Sequence, residues 1–236
     1  CDQEGQEGLS QSGDPGLIQD FCAYTTIEQP CEILQVIKKS KFYGRLFPAQ
    51  TPEEAQAVLD ACKKQYWDAS HNCSAYVIGR MGELSRCSDD GEPQGTAGVP
   101  MLEALKKSGL TNVLAVVTRY FGGTLLGAGG LVRAYTSSVS EAVKAAQKIC
   151  FQPMDRFRIV FPFPLWGRAE AALRGEGCRI LSTEYTDRVC VEVHLPPGAQ
   201  EQLIKRMAEI SAGGVRPEFL RTEYARIELG GEVNLL

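Results

Sequence analysis

Five glycines fall within the fifteen residues from Arg119 to Arg133, RYFGGTLLGAGGLVR, and the flanks of this run restrict what it can be. Before it, Asn112 to Tyr120 reads as a strongly buried strand. After it, Leu131, Tyr135, Val139, Ala142 and Ala146 recur at helical spacing, which predicts a long helix over 130–148. The run is therefore a strand-to-helix turn. A helix N-terminus carries N–H groups without internal acceptors and the positive end of the helix dipole. Glycine lets a ligand approach the backbone closely. Arg119 and Arg133 flank the run with anion-fitting forks. Together these make a phosphate or carboxylate site, with Gly122, Gly123, Gly127, Gly129 and Gly130 as backbone donors. The run is not a dinucleotide fingerprint, because position 132 is Val, and not a P-loop, because no Lys-Ser/Thr follows. The alternative is a tight connection packed beneath another element.

The rest of the chain divides into two patterns. Structure is expected to begin near Tyr24, with strands over 31–37 and 42–47. Thr51-Pro52-Glu53-Glu54 is a capping box that opens a helix, with Ala55, Val58, Leu59, Cys62 and Tyr66 on its apolar face. A short strand at 74–78, a polar loop over 79–98 and a helix at 101–107, ended by Gly109, follow. After Cys150 the pattern restarts as strand 157–161, helix 165–173, strands 179–185 and 188–195, helix 199–210 and strand 219–229. That order is βαββαβ, a ferredoxin-like arrangement. The expectation is an α+β chain of two domains, 24–151 and 152–236, behind a tail of residues 1–23. Residues 1–16 lack apolar periodicity, so the tail is expected to be disordered and Cys1 a boundary residue rather than a lipidated N-terminus.

Composition excludes several classes. No apolar run approaches a membrane span, and a net charge of −4 is not that of a chain made to coat nucleic acid. The nine cysteines form no CxxC pair, so free thiols in a reducing cytoplasm are expected, with no metal site and no cofactor. Ten of the eleven bases after residue 150 are arginines, which fits ordinary surface pairing or a phosphate-facing surface.

A second candidate segment is the loop 88–100, SDDGEPQGTAGVP. Asp89, Asp90 and Glu92 have the chemistry for a hard cation or an acid–base pair. They equally have the chemistry for helix caps and Asx turns. With Thr96 and His71 they are read as one wall of the cleft that holds the Gly-rich loop. His71-Asn72-Cys73 invites a thiol–imidazole reading, but sequence neighbours on a strand point to opposite faces, and a locally bonded histidine is expected. Lys38-Lys39-Ser40-Lys41 lies between the first two strands. It is either a solvated edge or an extension of the basic patch through Lys39 and Lys41. His194 is given no role, and Trp67 and Trp166 are read as core or boundary aromatics.

KKSKF at 38–42, HNC at 71–73, SDDGEPQGTAGVPML at 88–102 and VVTRYFGGTLLGAGGLVRAY at 116–135 resemble the signature of the Impact/YigZ family. The segment 155–229 resembles the small C-terminal domain of the bacterial members. The resemblance implies a first domain like the second domain of ribosomal protein S5. It also implies a ferredoxin-like second domain similar to the last domain of ribosomal translocation factors. Both folds recur in proteins that touch RNA or the ribosome, which is analogy at the level of fold. Eukaryotic members carry an additional N-terminal domain and inhibit a translation-control kinase by competing for its activator. No established reaction accompanies the bacterial members. The favoured expectation is a cytoplasmic, nucleic-acid- or ribosome-associated regulator of translation that binds without catalysis. Its partners would be RNA, the ribosome or a translation-control protein, and not a membrane. The alternatives are a hydrolase of a phosphorylated or small acidic metabolite, using Asp89, Asp90 and Glu92, and a protein–protein interaction module.

Overall fold

The computed structural model describes residues 23–228, so the expected tail lies outside the described residues apart from Ala23. The chain is α+β in two domains. The first carries the strands β2 (Cys31–Ile37), β3 (Ser40–Pro48), β4 (His71–Ile78), β5 (Leu84–Ser88) and β6 (Val113–Tyr120), with helices α1 (Pro52–Gln65), α2 (Gly98–Ser108) and α3 (Ala128–Ala145). The sheet order is β2-β3-β6-β4-β5, antiparallel throughout. Alternation along the strands sorts their side chains. Phe42, Leu46, Cys73, Ala75, Val113, Ala115 and Val117 face α2 and α3 and form the main core with Met101, Leu105, Tyr135 and Val139. The other face is only partly covered. There α1 packs Ala55, Leu59 and Cys62 on Leu114, Val116 and Ile78.

The second sheet contains β7 (Lys148–Phe161), β8 (Arg179–Tyr185), β9 (Val189–Leu195) and β10 (Glu218–Glu228), with α4 (Phe163–Gly175) and α5 (Gln200–Ser211) on one face. The order β10-β7-β9-β8 is that of the ferredoxin-like arrangement. An additional short strand, β1 (Tyr24–Ile27), pairs with residues 148–151 of β7. Ile27 meanwhile packs in the core of the first domain, so β1 joins the two units. β7 runs unbroken through residue 152. Pro153 lies inside this strand, paired with Tyr224 of β10, and does not interrupt it.

Local signals operate where the sequence places them. Thr51 Oγ1 accepts from the N–H of Glu54 at 3.2 Å, and Pro52 opens α1. The Glu54 carboxylate reaches one residue further back than a standard capping box, to the N–H of Gln50 at 2.8 Å. Gly109 ends α2 at φ 71°. β5 sits inside the segment read as loop. It is a short, mostly exposed edge strand, LSRCS, without the apolar alternation that marks a half-buried one.

One reading is corrected in this architecture. Trp67 is 82% exposed, so it is not a core residue. His194 has a partner: its Nε2 lies 2.7 Å from Glu223 Oε1, inside a network in which Arg156 also contacts Glu192 and Glu223. The bond with His194 is the first cause holding the Glu223 carboxyl down to about 2. Arg158, Arg174, Arg206, Arg221 and Arg226 are also paired with carboxylates, so with Arg156 six of the ten arginines after residue 150 are ion-paired. All seven described cysteines are free thiols.

Candidate functional site

The sequence-derived candidates gather at one end of the first sheet, where β6 gives way to the Gly-rich turn, β4 begins at His71 and β5 gives way to the 88–98 loop. The loop is held by its own carboxylates. Asp89 Oδ1 accepts from the N–H groups of Ala97 and Gly98 at 3.0 and 2.8 Å, and Oδ2 accepts from Gly95 at 2.9 Å. Asp89 therefore caps α2 from nine residues upstream, where the helix has no cap of its own. Burial raises the Asp89 carboxyl, but those three donors outweigh it and hold the group below its ordinary value. Asp90 accepts from Lys63 Nζ at 2.5 Å and from the N–H of Asn72 at 2.7 Å. Thr96 Oγ1 donates to the carbonyl of Pro93 at 2.6 Å and closes the turn.

Glu92 joins the loop to the rest of the site. Its side chain is 2% exposed, and its Oε1 accepts from Arg119 Nη1 at 2.6 Å and from Tyr135 Oη at 2.7 Å. Arg119 is consequently not the solvent-facing phosphate ligand expected from the sequence. It is 5% exposed, and its guanidinium lies 5.5 Å from the centre of the Phe42 ring and 5.6 Å from that of Phe121. The cause is strand alternation. His71, Arg119 and Phe42 stand opposite one another in register on β4, β6 and β3, so all three point to the helix-covered face.

The same alternation corrects the reading of His71 and Cys73. They are two residues apart on β4, so they share a face rather than opposing one another. His71 Nδ1 is 2.9 Å from the carbonyl of Asp90, and Nε2 is 3.8 Å from Glu92. Cys73 donates to the carbonyl of Asp89 at 2.9 Å. Burial pushes its thiol up to about 12, and Tyr135 is likewise raised by burial, so neither is an anionic nucleophile near neutral pH. Among the described residues no group of three or more His, Cys, Asp or Glu side chains is arranged to hold a metal ion.

The solvent-facing part of the site is built by the Gly-rich turn, the start of α3 and the β2–β3 hairpin. Ile37 pairs with Ser40, so Lys38 and Lys39 form a two-residue turn. Both have positive φ, 45° and 69°. Such turns favour Asn-Gly, and lysine at two left-handed positions is strained. The turn lies against Gly122. A Cβ at Gly122 would come within 2.1 Å of the Lys39 carbonyl carbon, and the Gly122 N–H donates to Ser40 Oγ at 3.1 Å. At the far end of the turn, Gly127 begins α3 with φ 72° and no side-chain cap. The N–H groups of Ala128, Gly129 and Gly130 thus have no acceptor within the helix. Arg133 is exposed, with its Nη1 beside Gly129. Lys38, Lys39, Lys41 and Arg133 are exposed, and no ion pair involves them among the described residues. Lys41 alternates with Phe42, so it stands on the opposite, open face of the sheet. A separate cavity of about 440 Å³ lies away from these loops, lined by Tyr24, Arg80, Lys106 and Thr111 among others.

Comparison with known proteins matches residues 38–143 to the Impact N-terminal domain and residues 159–213 to a domain of unknown function, DUF1949. The chain is 41% identical over 191 residues to IMPACT family member YvyE of Bacillus subtilis (strain 168), covering 81% of this chain and 88% of that one. It is 35% identical over 95 residues to Protein IMPACT of Homo sapiens, covering 38% of this chain and 29% of that one. A solved structure titled "Crystal structure of an hypothetical protein" superposes with TM-score 0.53 at 31% identity, over 84% of this chain and 98% of that one. The extent of these matches across both domains places the chain in the IMPACT family.

Proposed function

We propose that the protein is a cytoplasmic, RNA- or ribosome-associated regulator of translation that acts by binding, and that its first domain holds nucleic-acid phosphate. The observation that carries the reading is the Lys38–Lys39 turn. Two lysines occupy strained left-handed positions and lie directly against the Gly-rich strand-to-helix turn. Strain at such a position marks a site that does more than close a hairpin. Lys39, Lys41, Arg133 and the open N–H groups at the start of α3 supply donors without protein acceptors. Arg119 supports the site from below, by fixing Glu92 and the 88–98 loop. The hydrolase alternative loses its reagents, because Asp89, Asp90 and Glu92 are each engaged in holding backbone or basic side chains.

The test separates stability from binding. Replacing Lys38-Lys39 by Asn-Gly relieves two left-handed lysines, each costing on the order of 1 kcal/mol. The variant is expected to melt at or above the parent temperature while binding a single-stranded RNA 12-mer several-fold more weakly. A variant that is less stable, or that binds as tightly as the parent, contradicts the reading.

A further inference from the structure

The open face of the first sheet holds a set of aromatic rings that the anion site does not use. We propose that this face is a stacking platform for the bases of single-stranded nucleic acid, an inference that rests on the nucleic-acid reading above. On β2, β3 and β6 two rows lie on this face: Val36, Lys41 and Tyr120, then Leu34, Tyr43 and the buried Thr118. α1 covers the β4–β6 side of this face and leaves the β2–β3 side open, where Leu34 is 51% and Val36 62% exposed. At the end of α1, Tyr66 stacks on Tyr43 with ring centres 6.5 Å apart, and Tyr43 meets Tyr120 edge-on at 6.1 Å. Arg45 lies against both of these rings, its guanidinium 3.9 Å from the Tyr66 ring centre and 5.4 Å from that of Tyr43. Tyr120 donates to Asp68 at 2.9 Å, which fixes its ring. Between Tyr66 and Asp68, both tied to the platform, stands the exposed Trp67.

The occupant follows from this chemistry. The rings are held by neighbours and remain partly accessible, and Lys41 sits in the same row as Tyr120. The unpaired Lys38 and Lys39 lie where β2 turns into β3, at the edge shared with the phosphate site. Aromatic faces beside a basic track fit unpaired bases, because every base offers a π-face while its phosphates follow the cations. A duplex keeps its base faces stacked internally and presents only edges in its grooves, so it has nothing to lay on these rings.

The full chain carrying Trp166→Phe leaves Trp67 as its single tryptophan; the sequence holds two. If that substitution disturbs the second domain, the difference between the parent and Trp67→Phe gives the same signal. Titration with a single-stranded RNA 12-mer should quench Trp67 saturably, whereas a blunt duplex of the same length should not. Tyr43→Ala should weaken single-strand binding about tenfold, and Tyr43→Phe should restore it. Salt-sensitive binding with unchanged Trp67 emission and no effect of Tyr43→Ala would overturn the platform and leave the phosphate reading standing. No binding by either RNA would overturn both. A shift of Trp67 emission on raising protein concentration without RNA would assign the face to a second copy of the chain and overturn the platform.

Discussion

Replacing Glu92 by Ala should destabilise the first domain by about 3–5 kcal/mol, the range seen when one partner of a buried ion pair is removed. The size follows from what remains. Arg119 would be an unpaired guanidinium at 5% exposure, with its Nε already lacking a partner. Tyr135 would lose the acceptor of its buried hydroxyl. The 88–98 loop would lose its link to α3 and β6. Glu92→Gln keeps the shape and an acceptor oxygen but not the charge, so it should cost less. Denaturant unfolding of the two variants checks this. Equal and small effects would mean that solvent reaches the pair.

Gly122→Ala is the second large effect. The added Cβ would fall 2.1 to 2.4 Å from Lys39 and Ser40 backbone atoms, which cannot rotate away as a side-chain tip can. The hairpin must shift or the Gly-rich turn must open. Overpacking of this kind costs about 1–3 kcal/mol or more. Because the clash is at the junction of the two anion-binding elements, RNA binding should fall even at temperatures where the variant stays folded. Gly123→Ala, with φ 80° but open space around its Cβ position, should strain the turn without displacing the hairpin. Similar stability and binding for the two variants would show that the close approach is unimportant.

Much of the fold was legible because its signals are local. The Thr51-Pro52 start of α1, the Gly109 stop of α2 and the apolar stripe of α3 each sit on a rule that acts within a few residues. The βαββαβ order after Phe157 was readable for the same reason. The failures arise where the third dimension decides. Arg119 reads as a cation at the edge of a glycine run. Only the register of β3, β6 and β4 turns it toward Phe42 and Glu92. His71 and Cys73 could have been placed on one face by the two-residue period of a strand. That period separates Asn72 from both of them and sets His71 and Cys73 side by side. β5 has no apolar alternation to reveal it, and the early half of β7 pairs with β1, more than a hundred residues upstream. The Lys38–Lys39 turn carries no Asn or Gly, so its two-residue length is invisible without the pairing of Ile37 with Ser40. Trp67 reads as a core or boundary aromatic because a tryptophan ring is on average highly buried.

The central claim, that phosphate is held by the exposed cations of the hairpin and α3, is tested most directly by the salt dependence of RNA binding. Each phosphate contact on a single strand contributes roughly −0.7 to the slope of log K against log salt. Contacts from Lys39, Lys41 and Arg133 predict a slope of about −2 for the parent chain and a 12-mer single strand. Lys39→Ala combined with Arg133→Ala should bring it to about −0.7, with a similar loss across RNA sequences because phosphate contacts carry no base information. A parent slope near zero, or an unchanged slope in the double variant, would contradict the account.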